Sequence, residues 1–170
     1  MKLGEILTGT VYVDTNVWYM FLRTDTSSLK TIKLFLRRVV QGKIEAFVGV
    51  PVLDELFYRL LLARVKDATG ADPLEVLRQD LEGTIRTYAA PIEEALRKLM
   101  ALPHVNLVGI EVGDFGRMLD NIGTFALLPR DALHVAVIQR LGIDGIASDD
   151  RDFDRVRGLV RHWVINAPAA

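Results

Sequence analysis

"PRDALHVAVIQRLGIDGIASDDRDFD", residues 129–154, is the stretch on which the fold turns. Its first half reads as a helix over 130–141 opened by Asp131, and "GIAS" (145–148) reads as the short strand that the helix leads into. Asp149 and Asp150 follow that strand at once. A helix descending toward the next strand of a parallel sheet starts at the sheet's carboxyl edge, so Asp131 and the Asp149–Asp150 pair belong on one rim. His134 lies three residues after Asp131, but "ALHVAVI" is apolar almost all round. That setting marks a packed, hydrogen-bonded histidine rather than a ligand or proton shuttle.

Working outward, other short β-rich runs are "TVYVDT" (10–15), "AFVGV" (46–50), "VNLVGI" (105–110) and "RHWVI" (161–165). Helical patterns fall near 28–41, 51–68, 73–88, 91–102 and 111–125. Leu29, Ile32, Leu36, Val39 and Val40 repeat at helical spacing, with Gly42 as a stop. Gly70 and Pro73 make a turn, Asp72 caps the helix that Pro73 opens, and Pro91 is expected to start another. Strands alternating with helices of this length need crossover connections, which predicts an α/β sandwich around a mostly parallel sheet of four or five strands. Residues 1–170 are expected to form one domain.

With 21 basic against 22 acidic residues in 170, the chain is nearly neutral, which argues against a broadly basic nucleic-acid-coating protein. A local basic rim can still act within a Debye length. The absence of cysteine excludes disulfides, thiolate nucleophiles and cysteine metal sites. "MKLGEILTGTVYV" shows no secretory pattern and no run reaches eighteen apolar residues, so a cytoplasmic protein without a membrane span is expected.

Two further acids fall on the carboxyl rim. Asp14 closes the first strand, and Glu55 lies in the first turns of the helix that follows "AFVGV". Taken singly, these residues have ordinary readings: Asp14 a turn residue, Glu55 a solvated helix position, Asp131 a first-turn charge, Asp150 a helix cap. Taken together they are like charges converging at low dielectric, which repel unless a cation neutralises them. Oxygen-only ligation suits Mg²⁺ or Mn²⁺. Thr15 and Asn16 read either as groups orienting Asp14 or contacting phosphate, or as turn and cap residues before a helix at Val17.

"VYVDTNVW", "VPVLDELFYRLL" and the 129–154 block, with their acids in this order, closely resemble the PIN-domain family of metal-dependent ribonucleases, which includes VapC-type toxins. The resemblance implies a three-layer α/β/α fold and makes Asp14, Glu55, Asp131 and Asp150 the catalytic, metal-binding acids. Asp149 would fill a variable position, Ser148 would contact phosphate or a metal-bound water, and Asp152 and Asp154 would serve the short helix after the site. It further implies Mg²⁺ or Mn²⁺, an RNA substrate whose phosphodiester bonds are hydrolysed, a homodimer and an antitoxin partner. The chain is longer than compact toxin-type members, with extra length expected as a helical elaboration at 63–102. Arg23, Arg130, Arg151, Arg155 and Arg157 are the nearest candidates for a phosphate-contacting rim.

Two rivals remain in view. A receiver domain or aspartyl phosphatase would want a late lysine, and none follows Lys98; the phosphatase would also want an aspartate where Asn16 stands. The other rival is a catalytically silent PIN-like binding module, which would be expected to have lost acids that this chain keeps.

Overall fold

Val11, Tyr12 and Val13 are all buried, although successive side chains of a strand point to opposite faces. A strand covered on both faces belongs in the middle of a sheet sandwiched by helices. The computed structural model describes residues 2–23 and 27–164, with Ser27 and Ser28 by their backbone alone. In chain order the elements are β1 (Gly9–Val13), α1 (Thr15–Arg23), α2 (Ser27–Val40), β2 (Ile44–Gly49), α3 (Val50–Thr69), α4 (Pro73–Gln79) and α5 (Leu81–Met100). They continue with β3 (Val105–Val108), α6 (Val112–Phe125), α7 (Pro129–Leu141), β4 (Gly145–Ala147) and β5 (Val160–His162). A 3-10 turn, Arg151–Arg155, follows β4.

The strands of the described residues form one sheet in the order β3-β2-β1-β4-β5, every neighbouring pair parallel. From β1 the chain first builds outward through β2 and β3, then returns to β1's other flank for β4 and β5. The order therefore reverses beside β1, and the crevice at the carboxyl ends of β1 and β4 is the topological switch point where such sheets bind ligands. The expected α/β sandwich is what the chain forms. Its strand "RHWVI" ends earlier than expected, at His162, and Ile165 lies outside the described residues.

The middle of the chain divides differently from expectation. Pro91 does not open a helix; it lies inside α5, and the break comes at Asp80, whose carboxylate accepts from Gly83 N at 2.9 Å to cap α5. A proline inside a helix costs roughly 3 kcal/mol. Ala89, Ile92, Leu96 and Leu99, buried along one face of α5, supply the packing that offsets it. Asp72 caps α4 as expected, accepting from Leu74 N at 2.8 Å, and Gly42 and Gly70 take the positive φ that ends a helix. Among the described residues, no helix is long and apolar enough to cross a membrane.

One glycine bears on the site. At Gly49, where β2 turns into α3, a β-carbon would overlap the Tyr12 hydroxyl. That close approach sets where α3 begins, and with it the position of Glu55 in the second turn.

Candidate metal centre

Asp14 stands between the last residue of β1 and the first of α1, with its backbone N–H donating to Ala147 O of β4 at 3.0 Å. This bond ties the residue to the switch point. Its carboxylate accepts from Thr15 N (2.7 Å), from Ser148 Oγ (2.6 Å) and from Asn16 Nδ2 (3.2 Å). Asn16 Nδ2 also donates to Asp149 and lies 3.3 Å from Ser148 Oγ. Ser148 in turn accepts from Asp150 N at 3.0 Å. Thr15, Asn16 and Ser148 are thus a buried scaffold that fixes Asp14 and the loop after β4. Thr15 and Asn16 orient the carboxylate; they are not turn and cap residues before a helix at Val17, because α1 already begins at Thr15.

Asp131, half-buried in the first turn of α7, shares a small volume with Asp150 and Asp152. One carboxylate oxygen from each of the three lies within 4.8 Å of the others. Asp152 was expected to serve only the short helix. The turn brings it back to the site because Asp150 caps Asp152 N at 2.8 Å, which folds the two carboxylates onto one side. The signal lay in the Asp-x-Asp spacing of "DRD", whose ends meet in a tight turn.

Burial and the neighbouring charges of Asp150, Asp14, Asp152 and Glu55 push the Asp131 carboxyl up to about 6. Asp14 is raised as well, by burial above all; its bonds to Ser148 and Thr15 pull the other way, and Asp150 adds repulsion. Asp149 is raised by loss of water and then by Asp14. Four separate segments therefore deliver mutually repelling acids to one edge, as the sequence predicts.

Glu55 lies between two arginines. Arg130 Nη1 approaches its Oε2 at 3.3 Å and Arg59 Nη1 its Oε1 at 3.7 Å. Arg59, one helical turn beyond Glu55, lies over the Tyr19 ring with Cζ 4.5 Å from its centroid, and its charge reaches Asp14 and Asp149. Arg59 is not among the rim arginines that the sequence suggests, although its spacing of four from Glu55 was the available signal. Of those that it does suggest, Arg23 lies at the far end of α1, ion-paired with Asp67, and is no part of this rim. Arg155 pairs with Asp152 at 2.6 Å, while Arg151 and Arg157 are exposed. His134 is packed as expected: buried, its Nδ1 2.9 Å from the Tyr12 hydroxyl, its pKa lowered to about 4 by burial.

The donor set fits a hard divalent cation. Every candidate ligand is a carboxylate oxygen, and Thr15 Oγ1 and Asn16 Oδ1 are buried there with no hydrogen-bond partner among the described residues. Ligands of one Mg²⁺, bound at about 2.1 Å, stand at most about 4.2 Å apart. The spread of Asp131, Asp150 and Asp152 is thus within a small adjustment of what one ion needs.

Comparison with known proteins gives the same picture at the level of family and fold. The family model described as PIN domain matches residues 11–159. No curated protein sequence matches. Among solved structures, VapBC2 of Rickettsia felis bound to a promoter DNA fragment aligns with a TM-score of 0.59 at 11% identity, over 90% of this chain and 97% of that one. The Mycobacterium tuberculosis toxin VapC20, which cleaves the sarcin–ricin loop, aligns with a TM-score of 0.53 at 16% identity, over 85% and 92%. A toxin–antitoxin complex from Klebsiella pneumoniae gives 0.53 at 15% identity, over 88% and 95%.

Proposed function

The chain belongs to the PIN domain family, and from that premise we propose that it is a Mg²⁺- or Mn²⁺-dependent endoribonuclease acting as the toxin of a toxin–antitoxin pair. The observation that carries this reading is the convergence of Asp14, Glu55, Asp131, Asp150 and Asp152 at the switch point of the sheet. The arginines of the rim meet only Glu55 and Asp152, so Asp14, Asp131 and Asp150 are left facing one another without a paired side-chain cation, an arrangement that an ion from solution would stabilise.

In this reading Asp131, Asp150 and Asp152 would hold the ion, with Asp14 and Glu55 the further acids of the set. A divalent ion bound there supplies Lewis acidity and charge neutralisation for phosphodiester hydrolysis. Ser148, Asn16 and the Thr15 amide lock the Asp14 carboxylate in place before substrate arrives, so little reorganisation remains at the moment of reaction. Asp150 caps the turn that carries Asp152, coupling the position of one acid to the other. Burial keeps His134 neutral, bonded to Tyr12 and outside the chemistry.

RNA as substrate, a homodimer and an antitoxin partner belong to the same proposal; the toxin–antitoxin assemblies among the structural neighbours support the last. The test is cleavage of single-stranded and structured RNA with and without Mn²⁺, wild type against Asp14→Asn. Cleavage is expected to require the ion and to fall at least about a hundredfold in the variant, since a metal site contributes several kcal/mol to the barrier. Chelator-resistant cleavage, or an undiminished variant, removes the metal reading.

A further inference from the structure

We propose that Arg59 and Arg130 form a phosphate clamp astride Glu55, the pair of guanidiniums that holds the RNA backbone against the acid rim. The inference rests on the nuclease reading and adds how an anionic substrate is admitted. Asp14, Glu55, Asp131, Asp149, Asp150 and Asp152 make the mouth of the site strongly negative, and a phosphodiester is itself an anion. An ion bound among the acids is largely spent on the acids, so the approach of the substrate needs positive charge from the chain.

The cations around the rim are not equally available for this. Arg155 is committed to Asp152 at 2.6 Å, and Arg161 to Asp154 at 2.7 and 2.9 Å and to Ser148 O at 3.1 Å. Arg59 and Arg130 instead meet Glu55 at 3.7 and 3.3 Å, well outside the roughly 2.7–2.9 Å of a charge-assisted hydrogen bond. Each touches a different carboxylate oxygen, and each carries five N–H donors of which this loose contact uses little. They come from different elements, one turn along α3 from Glu55 and the residue before Asp131 in α7, so together they span the rim.

Arg59 is also pre-oriented. Its guanidinium carbon lies 4.5 Å from the centroid of the Tyr19 ring, a cation–π contact that holds the head group beside the rim. The Glu55 carboxylate thus occupies, between the two arginines, the place that a phosphate's paired oxygens match in charge and geometry. Both side chains keep solvent access, 39% for Arg59 and 58% for Arg130, as a contact made only with substrate requires.

The experiment uses the full-length Asp14→Asn protein to hold RNA without cutting it, with Arg59→Gln, Arg130→Gln and Arg59→Lys added singly. Binding of a single-stranded oligoribonucleotide in Mg²⁺ is followed against salt, and Mn²⁺ affinity is measured by calorimetry without RNA in the corresponding Asp14-containing proteins. Each Gln variant is expected to weaken RNA binding about tenfold and to flatten the salt dependence by about 0.7 in log–log slope, the loss of one phosphate contact. Mn²⁺ affinity should hold or tighten, because Glu55 is freed. Arg59→Lys should restore the slope but not the full affinity, since an ammonium cannot offer a bidentate edge. If RNA affinity and slope stay at the parent's values while Mn²⁺ affinity falls, the arginines merely hold Glu55 and the clamp is overturned. Arg130, the more exposed of the two, provides the decisive variant should Arg59→Gln fold poorly. Wild-type protein that does not cut RNA, with an Asp14→Asn parent that does not bind it, removes the nuclease reading and the clamp with it; wild-type cleavage and parent binding with every arginine variant binding normally removes the clamp alone.

Discussion

Asp114 and Asp14 are both buried aspartates, at 0% and 9% exposure, yet the chain treats them in opposite ways. At the α6–α7 contact, Arg140 Nε donates to both Asp114 oxygens at 2.9 and 3.1 Å, Glu111 N adds a bond at 2.9 Å, and Arg117 stands at 3.7 Å. Burial by itself would raise that carboxyl; Arg140, the Glu111 amide and Arg117 outweigh it and hold the group below its usual range. At the carboxyl rim Asp14 has hydroxyl and amide donors but only distant positive charge, and burial wins. A buried carboxylate closed by its own arginine is a stitch between helices. One satisfied only by neutral donors, with other acids facing it, is built for a cation that arrives from outside.

The sharpest way to break this distinction is to remove one carboxylate from each region. Asp131→Asn should abolish Mn²⁺-dependent cleavage, by at least about a hundredfold, while the metal-free protein melts at the same temperature or on the order of 2 °C higher, a small gain because solvent screens a half-exposed charge. Asp114→Ala should do the reverse. It leaves Arg140 with Glu111 and Gly109 O alone, beside a cavity, and should cost about 3 kcal/mol in denaturant unfolding, with cleavage per folded molecule unchanged. A fall in both stability and activity for both variants would erase the contrast.

How far each region was legible in the sequence follows from the same physics. The rim was readable because it is made by topology: a strand ending in Asp14, a helix opening on Asp131 and a strand running into Asp149 and Asp150 must share an edge in a parallel sheet. The α6–α7 stitch was not, because Asp114 and Arg140 lie 26 residues apart on two helices whose packing no local pattern specifies. Asp152 was missed for an intermediate reason. Whether Asp-x-Asp puts its carboxylates together depends on the 3-10 turn, and that turn exists only once Asp150 caps it. Pro91 misled because a local rule, that proline interrupts helices, gave way to a buried face that becomes visible only when α5 meets α3.

A second test sharpens the comparison by supplying the missing cation. On the proposed reading Mn²⁺ binds the folded rim and not the unfolded chain, so at a hundred times its dissociation constant it should add about 2.7 kcal/mol of stability. For a chain of this length that corresponds to a rise in melting temperature of roughly 5–10 °C. The rise should vanish in Asp131→Asn and persist in Asp114→Asn, provided the latter is folded. A shift of equal size in both would place the ion elsewhere.

The smallest effect is the dependence of that shift on pH, and it separates the rim from the histidines. Asp131 titrates at about 6 in the folded chain against an ordinary 3.8, and Asp14 and Asp149 are displaced in the same direction. Between about pH 4 and 6 the folded protein therefore binds more protons at these groups than the unfolded one, and without metal they make stability fall as pH rises. His134, at about 4 against 6.5, and His162, also lowered by burial, act oppositely: the unfolded chain binds more protons, so their contribution to stability rises with pH over much the same window. The metal-free curve of melting temperature against pH should accordingly be shallow, two opposed slopes partly cancelling. Mn²⁺ displaces protons from the carboxylates and leaves the buried histidines untouched, so the bound protein keeps only the rising slope. The gap between the Mn²⁺ and chelator curves should widen from pH 5 to pH 7. Parallel curves would mean that the raised carboxylates are not the groups the ion meets, and the distinction between the two buried aspartates would lose its functional content.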